Sequence, residues 1–118
     1  MSYVDGYVLA VPKEKKSAYI KLAEESAVVF KDHGAISVVE NWADDVPEGK
    51  TTSLPMAVKC EENEIVVFSW IVWPSREARD AGNKAVMEDE RLKGWDKDGL
   101  PFDGSRMIFG GFTTIVDT

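Results

Sequence analysis

Cysteine and histidine are nearly absent from this chain of 118 residues, which carries one of each, Cys60 and His33. A lone cysteine cannot close an internal disulfide, and a lone histidine excludes a multi-histidine metal site, so no metal is expected. Long hydrophobic runs are missing too. No stretch approaches the roughly 20 apolar residues that a membrane-spanning helix needs, and no charged-then-apolar leader precedes the first strand-like segment. We therefore expect a cytoplasmic protein with no membrane partner. Positive charge is in short supply, with 14 Lys and Arg against 21 Asp and Glu and a formal net charge of −7. An acidic surface repels phosphate, and no basic stripe interleaved with aromatics is present, which argues against a nucleic-acid partner.

What remains suffices for one core. At this length about two-thirds of the unfolded chain's surface can be buried, so 1–118 reads as a single domain that needs no disulfide, metal or cofactor. Residues 3–11 are aromatic and β-branched and stop at Pro12, as a strand does. Residues 13–33 place Tyr19, Leu22, Ala23, Ser26, Phe30 and His33 at spacings of three and four, which predicts an amphipathic helix closed by Gly34. Five lysines fall along it, most of them expected on its solvent face. Residues 35–43 alternate Ile36, Val38, Glu40 and Trp42 against Ala35, Ser37, Val39 and Asn41, a second strand that ends in an acidic turn at 44–49.

Residues 54–60 form a short apolar piece, read as an extra strand ahead of a hairpin loop at 61–64. Within 65–73 Ser69 is the only polar residue, so both faces of this strand should be covered and it should lie centrally. Ser75 caps a second helix, whose Ala78, Ala81, Gly82, Ala85 and Val86 offer a narrow small-residue face for close approach to the sheet. That helix should fade near 92–94, and 95–104 reads as a loop. Residues 105–116 make the last strand, with a bulge or a close backbone contact at Gly110–Gly111.

The order strand, helix, strand, strand, helix, strand predicts an α+β fold of ferredoxin-like type, βαββαβ. A four-stranded antiparallel sheet then carries both helices on one face. Its other face is bare, and a chain this short has no element left to cover it. A homodimer joined sheet to sheet is the economical solution.

Four segments carry a resemblance: Tyr3-Val4-Asp5-Gly6-Tyr7, Ala43-Asp44-Asp45-Val46-Pro47, Val67-Phe68-Ser69-Trp70-Ile71-Val72, and the run from Pro101-Phe102-Asp103-Gly104-Ser105-Arg106 through Met107-Ile108-Phe109-Gly110-Gly111-Phe112. Together they resemble the bacterial YbaA-like family, a domain of unknown function in the dimeric α/β barrel superfamily. The likeness spans nearly the whole chain and departs at Glu88-Asp89-Glu90-Arg91, where a proline before the arginine is the family pattern, and in the loop from Trp95 to Leu100. It implies the same fold and the same dimer. The wider superfamily includes cofactor-independent monooxygenases, lactone isomerases, haem-degrading enzymes and dye peroxidases, so membership implies a pocket and no single chemistry.

Glu40 is the first candidate for chemistry. A carboxylate on an apolar strand face either finds a cation or has its pKa raised by desolvation, and the second outcome makes a proton-transfer base. Asp5, between Tyr3 and Tyr7, has the same two readings, or marks a bulge with Gly6. His33 is the default general base by its pKa near neutrality, or a helix cap by its place beside Gly34. Trp42 and Trp70, within an aromatic set that includes Phe68, Trp73, Phe109 and Phe112, either line a site for a flat organic ligand or build core and interface. Asp103 and Arg106 either brace their own turn or present Arg106 to an anionic ligand at a pocket mouth. Arg76, Arg79, Asp80 and Asn83 follow helical spacing and suit surface pairs or an anion site. Cys60, beside an acidic loop, is not expected to be a nucleophile.

Two functional readings follow. One is a homodimeric binder of a small organic ligand without turnover. The other is a small cofactor-independent enzyme, monooxygenase-like or isomerase-like. They turn on whether Glu40 and Trp42 face a cavity of roughly 300 Å³ or more.

Overall fold

The computed structural model describes residues 2–93 and 99–118. In chain order these form β1 (Tyr3–Pro12), α1 (Lys16–Asp32) after a 3-10 turn, β2 (Ser37–Trp42), a one-turn α2 (Leu54–Ala57), β3 (Glu64–Trp73), α3 (Arg76–Glu88) and β4 (Ile108–Thr113). The sheet order is β2-β3-β1-β4, and every pairing is antiparallel. This is the expected ferredoxin-like arrangement. The two strands richest in β-branched and aromatic residues, β1 and β3, lie at its centre and pair from Tyr3↔Trp73 to Pro12↔Glu64.

Because side chains alternate, the register sorts residues to faces. Leu9, Val11 and Val67 meet Tyr19 of α1 on the helix-covered face, where Ile71 and Trp73 are also buried. The opposite, outer face carries Phe68, Trp70 and Val72 of β3, with Ile108 and Phe112 of β4. Glycine decides how closely the helix layer sits. At Gly82 of α3 a β-carbon would run into the Trp73 ring, so the small-residue face allows α3 to close on a tryptophan that is fully buried. At Gly111 a β-carbon would meet the Arg79 guanidinium and the Tyr3 hydroxyl. The Gly110–Gly111 pair is thus a close contact and not a bulge, since Gly6↔Gly110 and Asp5↔Gly111 keep regular register.

Helix ends follow local chemistry. Past α1, Gly34 takes φ of 109°, its N–H bonds the Lys31 carbonyl at 3.2 Å, and Ala35 N–H bonds the Phe30 carbonyl at 3.0 Å, a Schellman closure. Ser75 accepts from Ala78 N–H at 3.1 Å and starts α3.

Three expectations need correction. Residues 54–60 are not a strand: Ser53 accepts from Met56 N–H and caps a helical turn, after which Val58 packs on Ala10 and Val66. The outer face is therefore partly covered from within the chain, at one end. Helix α3 stops at Glu88, short of 92–94, because the Asp89 carboxylate accepts from Arg91 N–H and turns the chain into a 3-10 turn. Finally, Arg79 is not a surface residue; it reaches Asp5 under the helix layer. Of the 95–104 loop, residues 95–98 lie outside the described ones.

Candidate functional site

Between α1 and the β2–β3 edge lies a cleft of about 340 Å³ whose walls include Lys16, Tyr19, Ala23, Val38, Glu40 and Trp42. Its residues come together for simple reasons. The alternation of β2 puts Val38, Glu40 and Trp42 on the helix side, paired with Ile71, Ser69 and Val67 of β3. On α1, Tyr19 and Ala23 stand one turn apart and face them.

At the centre of the cleft the Tyr19 hydroxyl donates to Glu40 Oε1 at 2.6 Å. Glu40 as a residue is exposed at the sheet edge, yet this oxygen is drawn against a tyrosine that keeps only 7% of its surface exposed. Desolvation raises the Glu40 pKa above its ordinary value, while hydrogen bonding from Tyr19 and Ser69 pulls in the opposite direction. Tyr19 is raised as well, first by burial and then by the Glu40 charge, and stays a neutral donor throughout the physiological range. Among the described residues no Lys or Arg comes within salt-bridge distance of Glu40. The nearest cation in the cleft is Lys16, whose Nζ lies 5.1 Å from the centre of the Trp42 ring.

The other candidates lie elsewhere. Trp70 is on the outer face, with its ring edge-on to Phe68 at 5.5 Å, so the parity of β3 separates it from Trp42 by the thickness of the sheet. Asp103 and Arg106 are engaged with protein partners. Arg106 grips Glu64 through two 2.7 Å hydrogen bonds, donates to the Lys59 carbonyl at 2.8 Å and to Asp103 at 3.1 Å. Asp103 also accepts from the Ser105 N–H and hydroxyl. His33 caps α1, and its Nε2 lies 2.8 Å from Asp89, which Arg91 also holds. Cys60 is half-buried, and burial, then the charge of Glu64, raises its thiol pKa. No group of three or more His, Cys, Asp or Glu suited to a metal ion occurs among the described residues.

The sequence alone does not single out Tyr19 and Lys16 as site residues: Tyr19 falls in the helical spacing of α1, and Lys16 is one of five lysines of which most are expected to face solvent. The available signal was Glu40 itself: a carboxylate on an apolar face requires a donor, and the facing helix has a tyrosine.

Comparison with known proteins bears on family and fold. The profile described as "Protein of unknown function (DUF1428)" matches residues 2–104. The chain is 56% identical over 117 residues to "Uncharacterized protein YbaA" of Escherichia coli strain K12, covering 99% of both chains. The YbaA protein of Shigella flexneri matches to the same extent, 56% over 117 residues and 99% of each chain. Among solved structures, a NIPSNAP domain protein from Burkholderia xenovorans superposes with a TM-score of 0.59 at 10% identity, over 96% of this chain and 94% of that one. A dimeric ferredoxin-like protein from an uncultured marine organism gives 0.56 at 10% identity, over 95% and 92%. No helix among the described residues is long and apolar enough to cross a membrane. With one family profile spanning most of its length and full-length relatives at this identity, the chain belongs to the DUF1428 family of proteins of unknown function.

Proposed function

We propose that this protein is a homodimer that binds a small organic molecule in the cleft beside Glu40 and Trp42. The observation that carries the reading is a carboxyl group on the wall of an apolar cleft, held by Tyr19 with Ser69 beside it and paired with no cation among the described residues. Its carboxylate keeps acceptor capacity beyond the Tyr19 hydrogen bond, and a ligand with an N–H or O–H donor and a flat apolar body complements it and the Trp42 ring. The dimer reading rests on the outer face. Phe68 is 47%, Ile108 45% and Phe112 62% exposed, around a half-buried Trp70, on a sheet surface that α2 covers only at one end. A second copy supplies the same patch in return, as twofold association requires.

Benzimidazole, flat and carrying one N–H donor, is a suitable probe. It should shift the Trp42 indole resonance saturably, and Glu40→Gln should weaken that response by removing the charge that accepts the proton donor. Absence of any saturable shift up to millimolar benzimidazole contradicts the reading. A cofactor-independent enzyme is the second reading, favoured by the Glu40 carboxylate itself, which the neutral Tyr19 donor holds in the cleft, placed to act as a base. Proton exchange from a bound carbon acid, lost in Glu40→Gln, separates the two.

A further inference from the structure

A second cleft of about 360 Å³ lies across the helix layer from the first, between α3, α1 and the β1–β4 edge. Its floor is a closed polar knot. Asp5, 5% exposed, accepts from Trp73 Nε1 at 3.1 Å and from Arg79 Nε at 3.0 Å. The remaining Arg79 nitrogens go to Asp80 at 2.7 Å and to the Tyr3 hydroxyl at 3.4 Å. Among the lining residues Asp5 and Arg79 thus neutralise one another, and Asp80 beside Arg79 leaves no spare positive charge for an anionic guest. One wall is aromatic, with the Tyr7 and Phe109 rings stacked at 5.9 Å. The mouth carries Phe109 and Met87, 70% and 80% exposed, two of the most exposed large apolar side chains of the protein.

Two polar groups in this cleft are unused. Neither the Tyr7 hydroxyl nor the Asn83 amide has a hydrogen-bond partner among the described residues, and neither is a buried orphan, so both remain open to a guest. Both can donate. A site whose lining carries no net charge, with an aromatic wall, a methionine at its lip and two free donors, suits one chemical class.

We propose that this second cleft binds a neutral, planar carbonyl compound, its ring laid against Phe109 and its carbonyl oxygen accepting from Tyr7 and Asn83. The inference is independent of the Glu40 cleft and of any turnover there. The donor at Tyr7 is a lasting one, since burial, then the Asp5 charge and more weakly that of Glu40, against the pull of Arg79, raise its phenol to about 12.

Coumarin, a flat uncharged lactone, is the probe, with amide and indole resonances as the readout. Saturable shifts of the Asn83 side-chain amide and the Trp73 indole, with Trp42 unmoved, are the expected result. Tyr7→Phe, which keeps the ring, and Asn83→Leu should each weaken coumarin about 2- to 10-fold, the worth of one hydrogen bond. Shifts confined to Trp42, no saturation at millimolar coumarin, or unchanged affinity in both variants overturns the proposal. The wild-type shifts decide it even where a variant fails to fold.

Discussion

Arg79 Nε reaches across 74 residues of sequence to donate to Asp5 Oδ1 at 3.0 Å, with side-chain exposures of 19% and 7%. A buried pair of this kind contributes little net stability when intact but is costly to break. Asp5→Leu leaves Arg79 Nε and the Trp73 N–H without their acceptor, with Asp80 the one carboxylate still on the guanidinium, and should cost about 3 kcal/mol in urea denaturation. The double variant Asp5→Leu, Arg79→Leu should lose less than the sum of the two single changes.

Gly82 makes a prediction opposite in sign to helix propensity. Alanine is the better helix former by about 1 kcal/mol. Its β-carbon, however, has no room beside the Trp73 ring and the His33 carbonyl. Gly82→Ala should therefore destabilise, by about 1–3 kcal/mol, as overpacking of a close-packed interface does. Thermal melting of the variant checks this; a rise in Tm would show that α3 can move away.

Glu64 and Glu40 should impose opposite pH dependences on stability. The Arg106 guanidinium holds the Glu64 carboxyl below its ordinary 4.5, so the folded state binds that proton less readily than the unfolded one. This contribution is present above 4.5 and is lost as pH falls through the lowered folded value. Glu40 is raised, so its favourable contribution is full below 4.5 and is lost as pH rises through the higher folded value. Stability measured against pH should show Arg106→Leu flattening the acid limb, and Glu40→Gln gaining on the wild type between 4.5 and neutrality.

The fold was legible because it rests on short-range patterns. Strand alternation, the Tyr19–Ala23–Ser26–Phe30 spacing, the Ser75 cap and the Gly34 closure are each written within a few residues. Alternation likewise put Glu40 and Trp42 on one face. The partners that define the site were not legible: Tyr19 with Glu40, Arg79 with Asp5 and Arg106 with Glu64 join residues 21, 74 and 42 positions apart. Such pairings are set by how layers stack, and no local period records them. The same limit explains residues 54–60, where an apolar run that suits a strand is turned into a helical cover by one serine cap.

Phe68, exposed on the outer face, is the position that tests the dimer; Ile71 and Trp73 have the other parity and lie buried under the helices. Sedimentation at micromolar concentration should give about twice 13.1 kDa for the wild type. Phe68→Asp, on the outer face, should give the monomer mass while keeping the fold, because the substituted position is 47% exposed within one chain. A wild type that stays monomeric at high concentration contradicts the sheet-to-sheet association.

The Glu40 carboxyl itself decides whether the first cleft is a site. Its carbon resonance, followed through a pH titration, should show a midpoint above the ordinary 4.5, since burial is the larger influence. In Tyr19→Phe the midpoint should climb further, because the lost hydrogen bond favoured the ionised form. A wild-type midpoint at or below 4.5, unmoved by Tyr19→Phe, would make Glu40 an ordinary solvated surface acid and contradict the site.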